Sequence, residues 1–278
     1  MMAISRTQLT YLAGAVLLTV ALYLSIGNSS DTSVATESSK EENTSGSFEE
    51  RLTMAKSRLK RQEADRVSGI EKQLEQSEND TSLLAQLGRT WDELGDPSIS
   101  SHYFEEIAKT TPGEREWLNA AYRYFDAFKM SEDSVSRSIM VQKAIDCYNE
   151  VLEANPQNLN AKTDLGVCYA EGTANPMQGI SLLREVVQTN PDHENAQYNL
   201  GILSVKSGQL EKAVDRFAKV QKINPENFEA GFLMGRCYMQ LGKNTEAIAA
   251  LENVKNGSKD PQLVEEANKL LNQISTNQ

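Results

Sequence analysis

The sequence predicts an all-α protein, a solenoid of helical hairpins standing behind an N-terminal transmembrane helix. Three observations lead there. A helix–turn–helix pattern recurs between residues 81 and 260, no stretch has the period-two alternation of a strand, and residues 9–26 are an uncharged, mostly apolar run.

Composition bounds the function. The 278 residues suffice for one or two domains with a core. Acidic residues outnumber basic ones, 39 to 28, and the net charge of −11 repels phosphate backbones, so no nucleic-acid partner is expected. The three cysteines form no CxxC pair and imply neither a disulfide framework nor a zinc site.

Residues 1–8 read as a cytoplasmic N-terminus and 9–26, "LTYLAGAVLLTVALYLSI", as a transmembrane helix. At about 1.5 Å per residue the run reaches roughly 27 Å, enough to cross a bilayer core. A cleaved signal peptide is the alternative, giving a secreted protein, but "YLSIGNSS" offers no small-x-small cleavage site. Arg6 precedes the span, while Asp31, Glu37, Glu41 and Glu42 follow it. The positive flank stays inside, so the bulk of the chain is expected outside the cytoplasm; in a bacterium, on the inner membrane facing the periplasm.

Residues 27–47 are Ser, Thr, Glu and Asn with little to bury and read as a disordered tether. Residues 48–78 read as a helical spacer, with Phe48, Leu52, Ala55 and Leu59, then Val67, Ile70 and Leu74, on one stripe that is interrupted around Gln62 and Glu63. Three roles suit it: weak self-association, a solvated spacer, or packing on the domain that follows.

The repeat lies at 81–260. A small residue stands at one grid position of each unit (Gly88, Ala121, Gly166, Gly201, Gly235), at spacings of 33, 45, 35 and 34. A second small residue follows on the second helix (Ala144, Ala213, Ala247), and Pro112, Pro156, Pro191 and Pro225 close four of the units. The units fall near 81–112, 113–156, 157–191, 192–225 and 226–260; the second carries eleven extra residues around "FKMSEDSVSRS". The small residues let the helices of a hairpin approach, and the proline ends the second helix. In the third unit Gly179 stands where the second, fourth and fifth have alanine, at a cost of about 1 kcal/mol in helix propensity. One hairpin leaves an apolar face open, so stacking builds the core. Residues 261–275, with Leu263, Val264, Ala267, Leu270, Leu271 and Ile274 on one face, read as the capping helix.

This grid resembles the tetratricopeptide repeat family over residues 81 to about 260. The resemblance implies that the first helix of each unit lines a concave groove that takes a peptide or amphipathic helix of a protein partner. Carried over by position, it puts Leu118, Asn119, Tyr122 and Phe125 of the second unit, Tyr198, Asn199 and Ile202 of the fourth, and Phe232, Arg236 and Met239 of the fifth in that groove. Asn119 and Asn199 match the middle position of the carboxylate clamp that some members use, but Thr163 and Val167, and Glu229 and Leu233, stand where the flanking lysine, asparagine and arginine belong. No such clamp is expected.

Nothing in the sequence carries a reaction. Cys168 and Cys237 occupy small-residue positions, Cys147 sits on a second helix, and His102 and His193 have no partner cluster. No phosphate loop or nucleophile elbow occurs, and the carboxylates fall on polar helix faces. The reading is a membrane-anchored interaction scaffold without catalytic activity, cofactor or metal. An envelope or cytochrome-biogenesis assembly factor shares this layout.

Overall fold

The computed structural model describes residues 47–77 and 79–276. The expected cytoplasmic N-terminus 1–8, transmembrane helix 9–26 and all but the last residue of the tether lie outside them. Among the described residues there are thirteen helices and no strand, and no helix is long and apolar enough to cross a membrane.

The spacer is two helices, α1 (Phe48–Ser57) and α2 (Arg61–Leu74), where the sequence suggested one. Ser47 opens α1, its hydroxyl accepting from the Glu50 N–H. The break falls at 58–60, ahead of the expected interruption, because the Glu63 carboxylate accepts the Lys60 N–H at 2.8 Å and starts a new helix there. Val67, Ile70 and Ala55 are buried against Leu84, Leu87, Trp91, Ile99 and Tyr103 of the first repeat, with Phe48, Leu52, Leu59 and Leu74 around them. Phe48 also stacks on His102, ring centroids 3.5 Å apart. Burial lowers the His102 pKa to about 4, so the stacked imidazole is neutral. The stripe packs on the solenoid's own first unit, one of the three roles its sequence suggests.

Five hairpins follow: α3 (Thr81–Glu93) with α4 (Pro97–Thr110), α5 (Glu114–Met130) with α6 (Ser134–Ala154), α7 (Leu159–Gly172) with α8 (Pro176–Thr189), α9 (Glu194–Lys206) with α10 (Leu210–Ile223), and α11 (Phe228–Gln240) with α12 (Asn244–Gly257). The closing α13 (Pro261–Thr276) packs on α12 and α11. Each helix packs on the next. First helices also touch across units, α5 on α7 and α7 on α9, so they form one layer. In three units the hairpin turn places a glycine at positive φ, Gly95, Gly208 and Gly242, at 77°, 71° and 71°.

The eleven extra residues of the second unit do not form a loop. α5 has 17 residues and α6 has 21, against 13 and 14 in α9 and α10, and the connecting turns are equally short. The insertion is helix on both sides of the turn. Asp133 caps α6 by accepting the Ser136 N–H at 2.8 Å, and Arg137 lies over the Phe128 ring, 4.1 Å from its centroid. The lengthened hairpin meets the end of α7 at Gly172, where a Cβ would stand 2.3 Å from a Val141 methyl carbon.

The glycine at 179 has a packing reason. A Cβ there would lie 2.1 Å from the Gly166 carbonyl oxygen and 2.5 Å from the Ala170 nitrogen. α7 and α8 approach too closely for the alanine that three of the other units carry, and Leu183, fully buried, fills the space beside Gly166.

Glutamates tie consecutive units together. Glu105 of α4, 6% exposed, accepts the Tyr124 hydroxyl of α5 and pairs with Lys143 of α6 at 3.1 Å. Glu114, the first residue of α5, accepts both Asn155 and Asn158 Nδ2 at 2.9 Å from the turn after α6. Glu194 opens α9 and accepts Asn224 and Asn227 at 2.9 and 2.8 Å from the turn after α10. At the joint between the third and fourth units Leu159 stands in the glutamate's place, and His193 stands in that of the second asparagine.

Candidate functional site: the layer of first helices

The ten residues expected in the groove are placed unequally. Tyr122 on α5 is 40% exposed. Its ring meets Tyr148 edge-on at 6.2 Å, and it borders a cleft of about 490 Å³ lined by Asp92, Asp126, Lys129 and Met130. Leu118 and Phe125 are half-buried against the core of the second unit, Phe125 edge-on to Tyr148 at 6.4 Å. Asn119 is half-buried, and its carbonyl accepts from Arg123.

On α9, Tyr198 packs edge-on against Phe217 at 5.9 Å and Ile202 lies beside it. Asn199 turns its amide back to the Asn195 carbonyl at 2.8 Å. On α11, Phe232 is only 7% exposed and belongs to the core shared with Ala267 and Ile274 of α13, with Met239 alongside. Arg236 is exposed, 5.9 Å from the Phe232 ring centroid. Phe232, Arg236, Glu229, Leu263 and Glu266 border a second cleft of about 440 Å³ between α11 and α13. Tyr122 and Arg236 are therefore the two most accessible of the ten.

The electrostatics single out the α5–α7 stretch. Glu171 at the end of α7 bridges Lys129 of α5 and Lys206 of α9, both at 2.7 Å. Although burial opposes it, those two ammonium groups hold its carboxyl below the usual range. Lys206 is thus already paired. Asp126 and Asp164 form no ion pair among the described residues. Burial pushes Asp164 up to about 6, opposed by the Tyr148 hydroxyl, which donates at 3.3 Å, and helped by the charge of Asp126. Burial and Asp92 also raise Asp126, against the pull of Arg123. Tyr122 is raised by burial and by Asp164 beside it.

No set of three or more histidine, cysteine, aspartate or glutamate side chains is gathered for a metal among the described residues. Cys147, Cys168 and Cys237 are free and buried, and burial pushes all three thiols up, away from the reactive thiolate.

Residues 204–274 match the tetratricopeptide repeat family. A tetratricopeptide repeat protein from Parabacteroides merdae is 16% identical and superposes with a TM-score of 0.56, over 82% of this chain and 87% of that one. The solenoid has the tetratricopeptide repeat fold. MamA from Desulfovibrio magneticus is 18% identical, with a TM-score of 0.50 over 63% of this chain and 93% of its own. YrrB, a TPR protein with an unusual peptide-binding site, is 17% identical over 72% of this chain and 97% of its own, with a TM-score of 0.46. No curated protein matches the sequence.

All ten residues lie on first helices, and they differ in how accessible they remain. Asp126, Lys129, Met130 and Glu171, absent from the sequence's list, lie toward the C-terminal ends of α5 and α7. Met130 is 64% exposed. Its signal was present in the sequence as an apolar residue at the edge of the insertion, in a segment read there as an insertion between the two halves of the unit.

Proposed function

We propose that this protein is a membrane-anchored interaction scaffold whose first-helix layer holds a partner segment carrying an apolar side chain next to a basic one. The observation behind the reading is the exposed Tyr122 beside Asp126 and Asp164, two carboxylates raised by partial burial that form no ion pair among the described residues. An ammonium or guanidinium placed between them relieves their repulsion, and the partner's apolar side chain covers Tyr122 and Met130. The half-buried residues Leu118, Phe125, Tyr198 and Ile202 shape the floor, and Arg236 marks the far end.

A peptide array probed with the full chain tests this. The selected sequences should be enriched in a lysine or arginine adjacent to an apolar residue. Asp126→Asn with Asp164→Asn should remove the basic preference, and Tyr122→Ala should weaken capture about tenfold while the helical signal is unchanged. A selection indifferent to all three substitutions would reject the site.

The anchor in this proposal is residues 9–26, supported by their length, lack of charge and flanking charges. A reporter fused after Gln278 should be active only outside the cytoplasm; activity inside would reverse the topology.

A further inference from the structure

A second feature lies away from the groove, at the joint between the third and fourth units. A cleft of about 400 Å³ opens between α8, α9 and α10. Four of its lining side chains are cationic, Arg184, Lys212, Arg216 and Lys219, and one, Asp215, is anionic. The chain as a whole carries a net charge of −11, so this gathering of cations runs against its overall charge. At 100° per residue, Gln197 and Ser204 of α9, which line the cleft, fall roughly opposite Tyr198 and Ile202 of the groove side.

The cations are held in place. Arg216 Nη1 donates to Gln197 Oε1 at 2.6 Å, and Gln197 in turn donates through Nε2 to the Pro191 carbonyl at 2.7 Å. Gln197 is 4% exposed and sits where the first two units have Leu84 and Trp117. A buried amide in an apolar position, with both ends engaged, fixes one guanidinium. Lys212 is braced by Gln209 at 2.7 Å and Lys219 by Asp192 at 2.6 Å. Arg184 forms no ion pair among the described residues and stands close enough to Arg216 to destabilise it: burial first, then the charge of Arg184, lowers the Arg216 pKa. Asp215 offsets this only in part, and two like charges so placed favour an anion between them.

We propose that this cleft binds a phosphate group, gripped by the Arg184 and Arg216 guanidiniums with Lys212 at its edge. A phosphate monoester carries close to two charges and three acceptor oxygens, which suits two forked cations better than a single carboxylate does. The cleft falls in the size range of small-molecule sites. The phosphate could belong to a soluble molecule or to a lipid headgroup, a chemistry the two share.

Titration calorimetry on the full chain distinguishes the sources with two probes: pyrophosphate, and dihexanoyl phosphatidic acid below its micelle concentration. Saturable binding of either supports the site, and the tighter of the two names the source. Arg184→Gln and Arg216→Gln should each weaken it about tenfold. Gln197→Leu leaves the net charge unchanged and should still weaken binding severalfold, an effect diffuse electrostatics would not produce. Lys269→Gln, exposed on α13, should change nothing. The proposal fails if neither probe binds, if Arg184→Gln binds like the parent, or if Lys269→Gln weakens binding as much as Arg184→Gln. Arg184 is exposed, so its variant decides the matter even if Gln197→Leu does not fold.

Discussion

The joint into the fifth unit and the joint into the fourth are built from nearly the same turn, Asn-Pro-Glu-Asn and Asn-Pro-Asp-His, yet only one is clasped. In both, the first asparagine closes its own turn by accepting an N–H two residues on, from Glu226 and Asp192, each at 3.1 Å. In both, the fourth residue caps the next helix: Asn227 accepts the Ala230 N–H at 3.0 Å and His193 the Ala196 N–H at 3.3 Å. The difference is what the side-chain amides reach. Asn224 and Asn227 converge on Glu194 thirty or more residues earlier, whereas at the other joint that position is Leu159. The local turn is thus separable from the tie between units. The joint without the clasp is also where the basic cleft opens, and the Glu171–Lys206 ion pair spans it on the first-helix layer.

The largest effect is expected where a tie is most buried. Glu105→Ala should cost roughly 3 kcal/mol, because it strands the Tyr124 hydroxyl and Lys143 beside each other in the joint of the first two units. Chemical denaturation measures it; a cost near zero would mean that the glutamate ties follow from packing instead of supporting it. Next, Gly179→Ala should destabilise by about 2 kcal/mol although alanine is the better helix former, since the new Cβ meets backbone atoms that cannot move aside. A thermal midpoint above that of the parent would refute the close approach of α7 and α8.

Glu194→Ala should cost about 1–2 kcal/mol, leaving two asparagine amides without their acceptor. It should also speed amide exchange in the turn after α10 to the level seen after α8, and equal protection before and after the change would erase the contrast between the joints. The smallest change has the opposite sign. The folded chain holds the Asp164 proton up to about pH 6, against an ordinary value of 3.8, so folding takes up protons in that window and stability falls as pH rises through it. Asp164→Asn should therefore be more stable than the parent by about 1 kcal/mol at pH 7.5, with the gap closing toward pH 4. Parallel stability curves for the two proteins would show that Asp164 is not perturbed.

Several of these features were legible beforehand. Self-similarity at a fixed period exposed the hairpins because each must present the same small and large residues to its neighbours. The cap at 261–275 was visible as a one-sided stripe, and α13 ends within a residue of it. The groove list named positions on the first helices but could not tell which stay accessible, as Phe232 shows. The equivalent position is half-buried on α5 as Leu118 and buried on α11, where α13 covers the end of the stack.

What the sequence by itself determined is the repeat: its period, its hairpin helices and the places where they pack, all set by local periodicity and side-chain size. Tertiary structure alone decided that the eleven-residue insertion lengthens two helices, that the spacer breaks at 58–60 and covers the first unit, and that Gly179 is required. It also decided which glutamate meets which asparagine and where cations collect. These depend on groups tens of residues apart meeting at distances of a few ångströms. Helical spacing reports on one element at a time and carries no information about that meeting.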